Sequence, residues 1–232
     1  MITGELMDKH ISIAVDGPSG AGKSTIARRT AREFGIIYVD TGAIYRTVGL
    51  AVQRAGISSH DEKAVAALLP DISIDMAYDG RGEQRMLLGG GDVSDEIRTP
   101  QSSIYASDVS AMPQVRGFLL DMQREMARKN DVIMDGRDIG TVVLPDAGLK
   151  IFLTASPYER ARRRCAELLA RGENVSLDEV LHDIEYRDLQ DSTRELAPLK
   201  AAQDSVTVDT TGLSFDDSFR EISSLVKSRF GL

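Results

Sequence analysis

Apolar residues along the chain fall into two textures. Short runs rich in β-branched side chains, ISIAVD (11–16), IIYVD (36–40), DVIMD (131–135), LKIFLTA (149–155) and SVTVDT (205–210), predict buried strands. Between them apolar residues recur at helical spacing. In KSTIARRTAREF (23–34), Ile26, Ala27, Thr30, Ala31 and Phe34 share a face, and Gly35 can close the helix. GAIYRTVGLAVQRAG (42–56) and the capped segment SSHDEKAVAALL (58–69), which runs into Pro70, predict two more helices. Helical spacing resumes over 100–129 with a break near Met112 and Pro113, then over 157–171 and 176–189, and in a terminal helix. Strands alternating with helices predict an α/β fold with a mostly parallel sheet covered on both faces.

One segment departs from this rhythm. DISIDMAY (71–78) alternates, DGRG (79–82) is a turn, EQRMLL (83–88) can return as a partner strand, and GGGDVS (89–94) adds another turn and a short extended piece. The expectation is a small antiparallel insert near residues 70–95, outside the parallel sheet.

Composition narrows the class. A chain of 232 residues with 42% hydrophobic content supports one sizeable core with an insert or lid, hence a single domain over 1–232. A net charge of -8 argues against general nucleic-acid or anionic-membrane binding, while leaving room for a locally basic pocket. The single cysteine, Cys165, excludes an internal disulfide framework and reads as a plain small residue in a reducing compartment. No long apolar run suggests a membrane span, and MITGELMDKH lacks the core of a signal peptide; the expected location is the cytoplasm.

The chemistry begins at GPSGAGKS, which matches the G-x-x-x-x-G-K-[ST] phosphate loop between a predicted strand and a predicted helix. Gly17, Gly20 and Gly22 let backbone N–H groups converge on an anion, with Pro18, Ser19 and Ala21 completing the loop. Lys23 can reach the β and γ phosphates of a nucleoside triphosphate, Ser24 offers a hydroxyl to Mg²⁺, and Thr25 offers a hydroxyl or a cap. Asp135 closes a strand in the manner of a metal-holding acid; Asp16 and Asp40 stand at comparable strand ends, and the pattern does not rank the three.

A plain NTPase needs one phosphate loop, whereas a kinase of a phosphorylated acceptor must neutralise a second set of phosphates with well-placed arginines. Arg46, Arg98, Arg116, Arg137, Arg160, Arg164, Arg187 and Arg194 are the candidates. Arg137 follows a strand end directly, where open α/β sheets bind ligands, and Asp138 beside it can pair with it or accept from an amino group. Arg160 and Arg164, four apart, fall on one helix face, and with Arg187, Asp191 and Arg194 they outline a two-helix flap. His10, His60 and His182 occupy no catalytic motif and read as structural or solvent-facing. The guanine-reading N-K-x-D motif of GTPase switches is absent from the sequence.

GPSGAGKST, VDTGAIYR, GGGDVSDEIRTP, DGRDIGTVVLPDA and YRDLQDSTRELAPL, in this order, closely resemble the bacterial cytidylate kinases of the nucleoside monophosphate kinase group, over about residues 10–230. The resemblance implies a five-stranded parallel core, an enlarged monophosphate-binding region carrying the insert, and a mobile helical lid near 157–198. It implies ATP and Mg²⁺ as cofactors, CMP and dCMP as substrates, and a monomer. Thr41, Tyr45 and Arg46 resemble the residues that meet the nucleoside and its phosphate. Ser107 and Arg116 resemble the readers of the cytosine edge, with Asp138 assisting at the amino group. Arg137 and Arg194 resemble ligands of the acceptor or transferring phosphate, Arg187 and Asp191 the pair at the sugar hydroxyl, and Arg160 and Arg164 a cover for the donor phosphates. A related kinase of UMP, dTMP or a small metabolite is the alternative within the same fold.

Overall fold

The computed structural model describes residues 10–232; apart from His10, the stretch MITGELMDKH lies outside them. The strands are β1 (Ser12–Asp16), β2 (Ile37–Asp40), β3 (Ile74–Tyr78), β4 (Gln84–Leu88), β5 (Gly91–Asp92), β6 (Val132–Gly136), β7 (Leu149–Thr154) and β8 (Val206–Asp209). The helices are α1 (Lys23–Phe34), α2 (Thr41–Arg54), α3 (Glu62–Leu68), α4 (Pro100–Ser110), α5 (Pro113–Lys129), α6 (Pro157–Ala170), α7 (Leu177–Thr193) and α8 (Phe215–Phe230).

Five strands form one parallel sheet in the order β2-β6-β1-β7-β8. Alternation along each strand divides its side chains between two cores. Ile13, Val15, Tyr38 and Ile133 pack with Ile26, Ala27 and Ala31 of α1 and Ile222 and Val226 of α8. Ala14, Val39, Val132 and Met134 face the other way, onto Ile44 and Val48 of α2, Val109 of α4, and Val115 and Leu119 of α5. The three-layer fold expected from the pattern follows from this two-sided burial. A third cluster, Ala161, Cys165, Val180 and Ile184, joins α6 to α7 and makes the lid a helical pair with its own small core.

The segment after Asp71 is the antiparallel insert, in the order β3-β4-β5. It also covers the exposed edge of β2. Tyr78 donates its hydroxyl to the Tyr38 carbonyl at 3.0 Å. The Gln84 amide accepts from Asp40 N at 2.7 Å and donates to Asp40 O at 3.3 Å. Unpaired backbone groups of an edge strand are thereby satisfied by side chains of the insert.

Two helix bounds differ from the expected ones, and one turn was not foreseen. The helix expected from residue 42 starts at Thr41, because the Asp40 carboxylate accepts from Ala43 N at 2.8 Å and caps the first turn. The helix expected to end at residue 189 continues to Thr193, where the Ser192 and Thr193 hydroxyls each donate to backbone carbonyls one turn earlier at 2.6 Å. After β6, residues Ile139–Val143 form a π turn, with Val142 N and Val143 N both donating to Asp138 O. Among the described residues no helix is long and apolar enough to cross a membrane.

Candidate functional site

The loop Gly17–Ser24 leaves β1 and enters α1 at Lys23, which places the start of α1 behind it. Gly17 has φ of +149°, and a Cβ there would stand 1.9 Å from the Leu153 carbonyl oxygen, so only glycine fits. The Lys23 side chain folds back over its own loop, and Nζ donates to Pro18 O at 2.8 Å. Burial lowers the pKa of that ammonium, and the nearby Arg137 charge lowers it further. An anion cradled by the loop would reverse the second effect.

Ser24 and Asp135 meet across the sheet. The serine hydroxyl donates to Asp135 Oδ2 at 2.7 Å, and Tyr38 donates its hydroxyl to Asp135 Oδ1 at 2.9 Å. Burial raises the Asp135 pKa, with the Asp40 charge adding to it. A hydroxyl and a carboxylate side by side are hard oxygen donors of the kind Mg²⁺ accepts. No group of three or more His, Cys, Asp or Glu that could hold a metal occurs among the described residues. The fit is therefore to a cation that takes its remaining ligands from phosphates and water.

The other two strand-end acids have different work. Asp16 accepts from Ile139 N at 2.8 Å and Gly140 N at 2.7 Å, tying the end of β1 to the turn behind Asp138. Burial pushes its pKa up to about 6 against those hydrogen bonds. Asp40 caps α2 with one oxygen and holds Arg46 Nη2 at 3.0 Å with the other. Of the three, only Asp135 accepts from the hydroxyl of the phosphate loop.

Beyond the phosphate loop lies a polar group of buried Arg116 and Asp138 with the largely buried Arg194. Arg116 donates to Asp138 Oδ2, and Arg194 Nη2 stands 3.4 Å from Asp138 Oδ1. Burial raises the Asp138 pKa and lowers that of Arg194. The Arg116 guanidinium lies 5.9 Å from the Tyr45 ring centroid. Thr41 donates its hydroxyl to Asp135 O at 2.7 Å, and Ser107 is exposed on the α4 wall of the same cleft. Asp138 thus turns to Arg116 and Arg194, and Arg137 instead donates from Nε to Asp191 Oδ2 at 2.6 Å, reaching the lid. Arg187 pairs on the lid surface with Asp183 at 3.0 Å.

Arg160 and Arg164 do not share an environment. Arg160 is only 3% exposed, donating to Ser19 O at 3.0 Å and to both Asp188 oxygens, while Arg164 is half-exposed on the cleft wall and pairs with Glu167 at 3.2 Å. Their i,i+4 spacing expected one face, but α6 buries the Arg160 side against α7 and the phosphate loop. Sequence reasoning missed Tyr38, Gln84 and Asp188. Each acts through a tertiary contact, and none sits in a motif that singles it out.

Ser19–Thr25, Thr41, Tyr45, Arg46, Ser107, Arg116, Arg137, Asp138, Arg187, Asp191 and Arg194 all line one cleft of about 1210 Å³. The protein-family model for cytidylate kinase matches residues 13–228. The chain belongs to the cytidylate kinase family. The cytidylate kinase of Caldicellulosiruptor bescii is 50% identical over 219 residues, spanning 94% of this chain and 96% of that one. The cytidylate kinase of Geobacter sulfurreducens is 50% identical over 221 residues, spanning 95% and 94%. A solved structure of an uncharacterised protein from Eubacterium ventriosum superposes with a TM-score of 0.53 at 13% identity over 94% of this chain and 99% of that one, a likeness of fold alone. As a member of the cytidylate kinase family, the chain is an ATP-dependent kinase.

Proposed function

We propose that this chain transfers the γ-phosphate of ATP to CMP or dCMP, giving CDP or dCDP and ADP. The observation that carries the reading is the buried Arg116–Asp138 pair beside Tyr45, on the acceptor side of the phosphate loop. Cytosine presents an amino donor next to a ring acceptor, and uracil reverses both. A cytosine entering here donates to Asp138 and accepts from Arg116 or Ser107; uracil leaves these buried partners mismatched.

The donor occupies Gly17, Pro18, Ser19, Gly20, Ala21, Gly22, Lys23, Ser24 and Thr25, with Lys23 at the β and γ phosphates. Mg²⁺, held by the Ser24 hydroxyl and the Asp135 carboxylate, supplies neutralisation of phosphate charge. Thr41, Tyr45 and Arg46 receive the nucleoside and its 5′-phosphate. Arg137 and Arg194 flank the phosphoryl group in flight, Arg187 and Asp191 hold the sugar hydroxyl, and Arg160 and Arg164 cover the donor phosphates.

Chemical demands on the protein are light. The second pKa of a phosphate monoester is about 6, so the attacking oxygen is already anionic and needs no general base. His60, at the rim of the cleft, stands 3.7 Å from Asp108 with an 80% exposed side chain, and the mechanism makes no use of it. Catalysis is then positioning and charge neutralisation by the arginines and Lys23. Residues 70–95 serve as part of the monophosphate-binding region, holding Asp40 through Gln84, and residues 157–198 close as a lid that excludes water. The reading carries with it a cytoplasmic, monomeric enzyme acting on small molecules. A coupled ADP-release assay over a panel of monophosphates tests it.

A further inference from the structure

Tyr38 stands where the insert, α1 and β6 meet. Its ring is buried and packs with Ile26 and Ala27 of α1 and Ile133 of β6, with the Arg28 guanidinium 5.4 Å from the ring centroid. Its carbonyl accepts from the Tyr78 hydroxyl of the insert, and the register of β2 on β6 sets Tyr38 beside Ile133 and Asp40 beside Asp135. Backbone and ring are thus held by the core. Residues two apart on a strand point to one face, so Asp135 projects on the side of β6 that carries Ile133 and meets the Tyr38 ring. Across that diagonal the phenol donates to Asp135 Oδ1 at 2.9 Å, while Thr41, three residues on, donates to the Asp135 carbonyl at 2.7 Å.

The two donors to the Asp135 carboxylate differ in kind. Ser24, which donates to Oδ2 at 2.7 Å, lines the main cleft and belongs to the phosphate loop; Tyr38 stands behind the carboxylate and does not line that cleft. The last torsion of an aspartate is broad and roughly two-fold, so a donor on the loop alone does not determine which oxygen faces the cleft. A second donor fixed in the core does. We propose that Tyr38 is a positioning residue for the metal: by holding Oδ1 from within the core, its hydroxyl fixes the rotation of the Asp135 carboxylate and keeps Oδ2 turned to Ser24 and the cation. The inference rests on the reading of Asp135 as a metal-holding acid given above. Partners that orient a metal ligand from behind typically set about 10- to 100-fold of metal affinity.

The test uses Mn²⁺ as probe, titrated into enzyme carrying slightly less than one equivalent of ADP, with free Mn²⁺ read by electron paramagnetic resonance. Tyr38→Phe keeps the ring and removes only the hydroxyl. The expected result is Mn²⁺ affinity at least tenfold weaker, with ADP affinity in EDTA within about twofold of wild type. Asp135→Asn should weaken Mn²⁺ binding at least as much, and the double variant should bind no more weakly than Asp135→Asn alone, because Tyr38 acts through Asp135. Wild-type Mn²⁺ affinity in Tyr38→Phe overturns the inference, and so do additive losses in the double variant. An equal loss of ADP affinity in EDTA also overturns it, by assigning Tyr38 to the packing of the loop. Mn²⁺ affinity unchanged in Asp135→Asn is a distinct result: it removes the Asp135 reading itself, and the role of Tyr38 falls with it.

Discussion

Arg137 and Asp191 join the sheet to the lid: Nε of the first donates to Oδ2 of the second at 2.6 Å, across 54 residues of chain. The arginine leaves the C-terminal end of β6, and the aspartate sits on α7. One contact therefore ties the position of Arg137, proposed to flank the transferring phosphate, to the position of the lid.

Asp191→Ala should disturb both partners at once. It removes a proposed sugar contact and frees Arg137 from its orientation. Misplacing a catalytic group by about 1 Å costs on the order of 100-fold, so kcat is expected to fall by roughly that factor, with a smaller rise in KM for the acceptor. Steady-state kinetics with CMP check this. A rise in KM alone would show that the pair serves binding and does not orient Arg137.

Ser24→Ala removes the hydroxyl that donates to Asp135 and leaves that carboxylate with Tyr38 as its side-chain partner. The expected outcome is a Mg²⁺ requirement at least tenfold higher and a kcat lower by roughly 100-fold, the scale of losing one preorganised electrostatic ligand. Activity measured across a Mg²⁺ titration reads both.

Asp16 gives a dependence of stability on pH. Burial raises its pKa from 3.8 to about 6, with the Asp138 charge adding to the rise and Ile139 N, Gly140 N and Lys23 opposing it. Between those values the folded chain keeps a proton that the unfolded chain has shed, so this stabilisation is present below the lower value and is lost as pH rises through about 6. Asp16→Asn carries no such titration. Between about pH 4 and pH 7 the unfolding free energy of the wild type should therefore drop relative to the variant, by up to about 3 kcal/mol. Denaturant unfolding at several pH values measures the gap; parallel curves would contradict it.

The sheet, the insert and the phosphate loop were legible because each writes a local signature. The short apolar runs in ISIAVD and DVIMD report burial on two faces, the alternating run and turn at 71–94 report a hairpin, and the loop glycines report a backbone that approaches an anion. What was not legible depends on register and docking. Asp16, Asp40 and Asp135 stand at equivalent strand ends, and only the packed structure gives them a turn to hold, a helix to cap and a serine to meet. The difference between Arg160 and Arg164 arises from which side of α6 meets α7. Gln84 carries no signal at all, because its partner is the edge of a strand 44 residues away. Asp40, uncommitted in the sequence, becomes the residue that starts α2 and sets Arg46.

The proposed activity stands on acceptor selection by Arg116, Asp138 and Ser107. Its most direct measurement is kcat/KM for CMP, dCMP, UMP and dTMP with ATP and Mg²⁺ in a coupled ADP-release assay. Cytidine monophosphates are expected to exceed UMP by at least tenfold, since uracil leaves a buried donor and a buried acceptor mismatched. Equal turnover of UMP and CMP would contradict the specificity, and ADP release at the same rate without any acceptor would contradict the kinase itself.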